Sequence, residues 1–214
     1  MKKKPLLCFD LDGTLIDSTE AHIKAYDYAF KKNNLTMPPK QKLRKLFGME
    51  RSIIIKKLFP NISPRKLKQV IEDHFEGQEQ FMHLIKPTPH VVEALKKLKK
   101  HFTLGVVSNN QHETIMESLE AAKIPTRLFE VIVGEDDAKA KPAPDEILLA
   151  EKLTQANAKF MVGDTVFDIK AGKKANCKTI GVLTGIHDME TLMKAEPSML
   201  ASSVAILPDI LINK

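Results

Sequence analysis

The apolar run Leu6-Leu7-Cys8-Phe9 stops abruptly at Asp10-Leu11-Asp12-Gly13-Thr14, and no other text in the 214 residues constrains the fold as tightly. Four consecutive apolar residues ended by a turn describe a strand buried on both faces. Such strands belong to parallel sheets covered by helices, and the chain from Pro87 onward supplies both. Val91 to Lys100 reads as a helix with Val91, Val92, Leu95 and Leu98 on one stripe. Thr103 to Val107 reads as a strand running into Ser108-Asn109-Asn110. Further helices are expected near 111–122, 144–154 and 168–175, and strands near 129–133, 160–162 and 179–183. A last strand–helix pair is expected at about 204–212. This alternation predicts an α/β protein built on a Rossmann-like parallel sheet.

Residues 18–85 have a different character. They show no convincing strand, and they break at Pro38-Pro39 and around Pro60-Asn61-Ile62-Ser63-Pro64. Ala25, Tyr26, Ala29 and Phe30 recur at helical spacing, as do Leu67, Val70, Ile71, His74 and Phe75. Ser63 before Pro64 marks a helix start. The expected organisation is a core of residues 1–17 and 86–214 interrupted by a helical module, 18–85. A chain of this size buries a core without covalent staples, and Cys8 and Cys177 form neither a disulfide framework nor a metal-ligand spacing. The start Met1-Lys2-Lys3-Lys4 imitates a secretory signal until Asp10 and Asp12 interrupt the apolar run. No stretch approaches the ~18 apolar residues of a membrane span. A cytoplasmic protein is expected.

The chemistry gathers where strands end, which is where open parallel sheets place their ligands. Those ends carry Asp10 and Asp12, then Ser108 and Asn109, then Asp164 followed by Asp168. Two carboxylates about 5 Å apart repel by roughly 3 kcal/mol at an effective dielectric of 20, so four converging on one edge call for a cation. With oxygen as the only donor type, the favoured ion is Mg²⁺. Lys141 stands in Ala140-Lys141-Pro142-Ala143-Pro144-Asp145, a loop stiffened by its prolines. Carboxylates, Mg²⁺, a lysine and the Ser108 hydroxyl together are parts for phosphoryl transfer.

Four segments, in order, resemble the motifs of the haloacid dehalogenase-like hydrolase superfamily. They are Phe9-Asp10-Leu11-Asp12-Gly13-Thr14-Leu15, Val107-Ser108-Asn109, Lys141-Pro142 and Val162-Gly163-Asp164-Thr165-Val166-Phe167-Asp168. The likeness runs from Phe9 to about Gly185, and the insert between Asp17 and Thr88 resembles that superfamily's first, helical cap type. Gly172 through Gly185 is similar to the phosphoglycolate phosphatase-like branch. The resemblance implies that Asp10 is the nucleophile forming an aspartyl-phosphate, and that Asp12 is the acid/base and lends its backbone carbonyl to the metal. It implies Asp164 as the principal metal carboxylate and Asp168 as the supporting one, with Asp10 completing the set. Ser108, Lys141 and an amide of Asn109 would hold the phosphoryl oxygens. The second aspartate, Asp12, is absent from dehalogenase-type members and argues for phosphate-ester or anhydride chemistry.

The expected substrate is a small phosphorylated metabolite, with no nucleic acid or membrane as partner. A β-phosphoglucomutase-like phosphotransferase and a pyrophosphatase of the same superfamily remain alternatives, as does a catalytically silent binding protein on the same fold. His22, on the first insert helix, either faces the leaving group or is an ordinary packed histidine. Arg51, in Gly48-Met49-Glu50-Arg51-Ser52, resembles the arginine with which β-phosphoglucomutases grip a distal phosphate, or is a surface charge. The net charge of +6 lies wholly in residues 18–85, with 13 Lys+Arg against 7 Asp+Glu; the rest of the chain balances. That excess either steers anions or is simply solvated.

Overall fold

The computed structural model describes residues 3–212. The chain forms two compact units, one from the residues up to Asp17 together with those from Lys86 onward, the other Ser18–Ile85. In the first unit a strand β1 (Leu6–Phe9) precedes a short antiparallel pair, β2 (Ile16–Asp17) and β3 (Lys86–Pro87). Then follow β4 (Thr103–Val107), β5 (Val131–Val133), β6 (Ala158–Gly163), β7 (Lys178–Val182) and β8 (Met199–Ala201). The six longer-range strands pair in parallel in the order β5-β4-β1-β6-β7-β8. β1 lies at the centre of this sheet, with Cys8 opposite Gly105 on one side and Met161 on the other. All four of its residues are buried, as a two-sided strand requires.

The sheet therefore grows outward from β1 in both directions, and the winding reverses between β1 and β6. Such a reversal opens a crevice at the carboxyl ends of the two strands concerned. The residues at those ends are Asp10 and Asp164. The fold itself brings them together.

The second unit contains α1 (Thr19–Lys32), α2 (Lys40–Arg44), α3 (Arg51–Leu58) and α4 (Pro64–Phe81). Ser63 accepts a hydrogen bond from the Lys66 amide at 3.3 Å and Pro64 takes the first helical position, so the cap read from sequence is present. α1 and α4 pack along one another. Gly77 lets them close: a methyl there would meet the Ala25 backbone at 3.0 Å. Lys40, Lys42, Arg44, Lys45, Lys56 and Lys57 are all solvent-exposed.

His74 is the unusual member of this interior. It is buried against the Tyr26 ring, centroids 4.0 Å apart, and among the described residues neither ring nitrogen has a hydrogen-bond partner. Burial holds its pKa well below the ordinary histidine value, and Arg51 and His22 push the same way. The unfolded chain takes a proton near pH 6.5 that the folded one refuses. Stability is therefore full above that pH and declines as the pH falls below it. His74→Phe is expected to lose less in Tm than the parent between pH 7.5 and pH 5.5. Equal losses in the two proteins would contradict this origin of the acid sensitivity.

The core helices are α5 (Val91–Leu98), α6 (His112–Ala121), α7 (Asp145–Thr154), α8 (Val166–Lys174), α9 (Met189–Lys194) and α10 (Leu207–Leu211). α5 buries the stripe Val91, Ala94, Leu95 and Leu98; each fully buried leucine contributes about 2 kcal/mol. α7 packs on β4 and β5, and α8 on β6 and β7.

Two expectations need correction. The last strand is Met199–Ala201, ahead of the expected place, and 204–212 is a 3₁₀ turn followed by α10. Val204, Leu207 and Pro208 are the buried residues there, at spacings of three and four from Val204, which is helical spacing. The segment 168–175 is helical but its helix begins earlier, at Val166, because Thr165 caps it.

Candidate active site

Asp10 leaves the sheet immediately after β1, and its amide donates to the Val162 carbonyl at 2.8 Å. That bond extends the β1–β6 pairing by one residue and holds the Asp10 backbone against the strand that delivers Asp164. Gly13 turns the chain at φ 73°, where glycine carries little penalty. A methyl on Gly13 would also lie 2.6 Å from Asp164 Oδ2. Thr14, fully buried after this turn, donates its hydroxyl to Asp164 Oδ1 at 3.2 Å.

Asp168 is fixed by its own helix. Thr165 Oγ1 accepts from the Asp168 amide at 3.4 Å, and Asp168 Oδ2 accepts from the Thr165 amide at 3.0 Å. This reciprocal capping box leaves Asp168 Oδ1 directed elsewhere. Lys141 receives it. The ammonium donates to Asp10 Oδ1 at 2.5 Å, Asp168 Oδ1 at 2.7 Å and the Val107 carbonyl at 2.9 Å. Those three bonds use the full donor capacity of an ammonium.

Asn109 sets the Lys141 backbone. Its side-chain amide donates to the Lys141 carbonyl at 3.0 Å, and its side-chain oxygen accepts from the Lys141 amide at 2.8 Å. Ser108 is buried at the tip of β4; its amide donates to Val133 and its hydroxyl accepts from the Asn110 amide at 3.3 Å. Asn110 Nδ2 donates to Asp12 Oδ2 at 2.6 Å and so holds the Asp12 carboxylate. Asp12 is only half-buried.

Asp10, Asp164 and Asp168 each offer a carboxylate oxygen, and these atoms all lie within 4.8 Å of one another. The Asp12 carboxylate is not part of that trio. Burial pushes the Asp10 pKa well above the usual carboxylate range, with Lys141 opposing and Asp168, Asp164 and Asp12 adding to the rise. Burial, then Asp168, pushes Asp164 up to about 7, against the amide of Ile186. Burial also works against the Lys141 ammonium, but Asp10 and Asp168 outweigh it and hold its pKa above lysine's ordinary value. One lysine does not satisfy three buried carboxylates. The oxygen-only donor set and its spread fit a hard divalent cation such as Mg²⁺.

The structure thus draws Asp10, Asp12, Ser108, Asn109, Lys141, Asp164 and Asp168 into one network. His22 and Arg51 belong to the other unit. His22 Nδ1 lies 3.5 Å from Gln78 Nε2, and Arg51 is buried, donating to Gln78 Oε1 at 3.2 Å with its guanidinium 4.4 Å from the Phe75 ring centroid. Arg51 is therefore no surface charge.

Sequence reasoning passed over Thr14, Asn110 and Glu146. Glu146 is wholly buried in the first turn of α7, and among the described residues neither of its carboxyl oxygens is hydrogen-bonded. Burial pushes it up to about 8 despite the pull of Lys141. No spacing in the sequence signals these three, because their partners lie far away along the chain or are absent.

The sequence profile of the haloacid dehalogenase-like hydrolases matches residues 7–182. The chain is 31% identical to pyrophosphatase PpaX of Listeria monocytogenes serotype 4b, over 93% of this chain and 92% of that one. It is 28% identical to a phosphoglycolate phosphatase of Vibrio vulnificus, over 97% and 96% of the two chains. A hydrolase from Pseudomonas syringae, solved by crystallography, superposes with a TM-score of 0.85 at 26% identity and covers 97% of each chain.

Proposed function

Because the chain belongs to the haloacid dehalogenase-like hydrolase family, we propose that it is a Mg²⁺-dependent phosphatase that hydrolyses a small phosphorylated metabolite through a phosphoryl-aspartate at Asp10. The observation that carries this reading is the convergence of Asp10, Asp164 and Asp168 to within 4.8 Å beside the Lys141 ammonium. Asp10, Asp164 and Asp168, with the Asp12 carbonyl, would hold the Mg²⁺. The ion supplies positive charge that lets the buried acids ionise together and that balances a transferring phosphoryl group.

Asp10 attacks phosphorus with one carboxylate oxygen, and the bond from phosphorus to the leaving oxygen breaks. Asp12, held by Asn110, gives that oxygen its proton. It then removes a proton from the water that attacks the phosphoryl-aspartate, which releases inorganic phosphate and restores Asp10. Ser108 and the Asn109 amide bind the phosphoryl oxygens, and Lys141 joins them by exchanging one of its three present bonds for a phosphoryl oxygen. Lys141 does so from a position fixed at both ends, by Asn109 at its backbone and by two aspartates at its tip. We assign Ser18–Ile85 the role of a cap that selects the leaving group, with His22 and Arg51 as its candidate substrate contacts.

The test is hydrolysis of an aryl phosphate with and without Mg²⁺, followed by phosphorylated metabolites and pyrophosphate ranked by kcat/KM. Activity is expected to vanish with a chelator and return with Mg²⁺. A monoester ranking first supports the phosphatase reading. Pyrophosphate ranking first would place the chain with its pyrophosphatase relative instead. Absence of any Mg²⁺-dependent hydrolysis would refute both. Acid weakens the ion's grip: below pH 7 Asp164 keeps its proton, which Mg²⁺ must displace. Mg²⁺ affinity is expected to fall by roughly tenfold per pH unit there for each proton displaced, and Asp10, whose pKa is also raised, steepens the fall. A pH-independent affinity between pH 5.5 and 7 would contradict the assignment of Asp164 as a ligand.

A further inference from the structure

Between β7 and α9 the chain runs Leu183-Thr184-Gly185-Ile186-His187, and Thr184, Ile186 and His187 each hydrogen-bond a different part of the site while Gly185 packs against Asp164. Thr184 Oγ1 donates to the Gly13 carbonyl at 2.6 Å. Gly185 lies so close to Asp164 that a methyl on its Cα would fall inside the carboxylate group. The Ile186 amide donates to Asp164 Oδ2 at 2.7 Å. His187 Nδ1 accepts from the Val166 amide at 3.0 Å, at the first residue of the helix that carries Asp168.

We propose that Thr184–His187 is a positioning strap that aims Asp164 at the metal and locks the Asp10–Gly13 turn to the Asp164–Asp168 loop. The inference rests on the reading of Asp164 as a metal ligand. The two loops it joins lie far apart in sequence, so only long-range bonds can fix one to the other; the Thr14–Asp164 bond is one such link, and the strap adds those of Thr184 and Ile186. Asp164 Oδ2 is already engaged by Ile186, which leaves the carboxylate little freedom to rotate about its Cα–Cβ bond. Thr14 holds the other oxygen. A ligand constrained in this way gives up little side-chain entropy when it binds a cation. Such outer groups orient metal ligands, and losing one weakens metal affinity about 10- to 100-fold.

Gly185 is a direct probe because its φ is not in the left-handed region. A Gly185→Ala substitution therefore tests space alone. The added methyl forces the Asp164 side chain off the Ile186 amide while leaving every proposed ligand in the chain. Thr184→Val probes the other end of the strap by deleting the bond to Gly13.

The experiment is Mg²⁺ titration calorimetry on the full chain, paired with Tm in chelator. Gly185→Ala is expected to raise the Mg²⁺ Kd about 10- to 100-fold, and Thr184→Val about tenfold, with Thr184→Ser restoring it. A merely structural strap would lower Tm in chelator and leave Kd unchanged. Unchanged Kd in Thr184→Val and in Gly185→Ala overturns the inference, and should Gly185→Ala not fold, unchanged Kd in Thr184→Val alone overturns it. Asp164→Asn is the reference: if it loses Mg²⁺ while the strap variants keep it, the strap fails and the metal site stands. If Asp164→Asn itself binds Mg²⁺ normally, the metal-site reading fails and the strap with it.

Discussion

Asp10→Asn is expected to reduce turnover by a factor on the order of 10⁴ to 10⁶, the loss typical when a covalent nucleophile is removed. An amide oxygen is a far weaker nucleophile than a carboxylate, and it yields no acyl phosphate that water can split. The substitution should nevertheless leave the fold intact. Asp10 is 8% exposed, and burial raises its pKa, so the ionised form is a cost that the native state bears at neutral pH. Asparagine keeps the shape and an acceptor for Lys141 while removing that charge. Lys141 retains Asp168 and the Val107 carbonyl. Tm is therefore expected to stay level or rise while activity disappears. Activity above 1% of the parent, or a collapse in Tm, would contradict the role given to Asp10.

Lys141→Met should produce the opposite pairing, with stability and activity falling together. The Lys141 side chain is buried and joins the buried side chains of Asp10 and Asp168. Removing one partner of a buried ion pair costs about 3–5 kcal/mol, because the remaining charge is left uncompensated. For a chain of this size that lowers Tm by roughly 10 °C. Loss of a donor to the transferring phosphoryl group costs a further 10²- to 10³-fold in kcat. Lys141→Arg should not recover the parent, since a planar guanidinium cannot reproduce three bonds converging on one nitrogen. A Lys141→Met protein with parental Tm and activity would remove the lysine from the site.

These two residues also show how much of the molecule is legible in the sequence. Asp10 announces itself, because a four-residue apolar run stopped by an acid and a turn reads as the tip of a buried strand. The same logic finds Ser108 after β4 and Asp164 after β6, and the reversal of winding at β1 then explains why they meet. Helix α9 is not legible. Leu192 is its one buried residue while Met189 and Met193 are exposed, so no apolar stripe forms. Strand β8 is a three-residue edge strand, too short to register as a period.

Within the site, the Thr165–Asp168 box can be read from spacing, since a cap and its third helical residue are always three apart. The bonds from Thr14 to Asp164, Asn110 to Asp12 and Ile186 to Asp164 span 150, 98 and 22 residues, and no local pattern encodes them. Arg51 is a further case. The sequence leaves a phosphate-gripping arginine and a surface charge both open, and packing on Phe75 with a bond to Gln78 rules out the surface charge.

The covalent step at Asp10 is the centre of the proposed chemistry, and it can be observed directly. Mixing the enzyme with Mg²⁺ and a phosphomonoester that it turns over, then quenching in acid within the first turnover, should trap the intermediate. Mass analysis is expected to find one added phosphoryl group on the peptide containing Asp10, and borohydride reduction to convert that residue to homoserine. Turnover under the same conditions with no phosphoryl group at Asp10, or with the group on another residue, would contradict the mechanism.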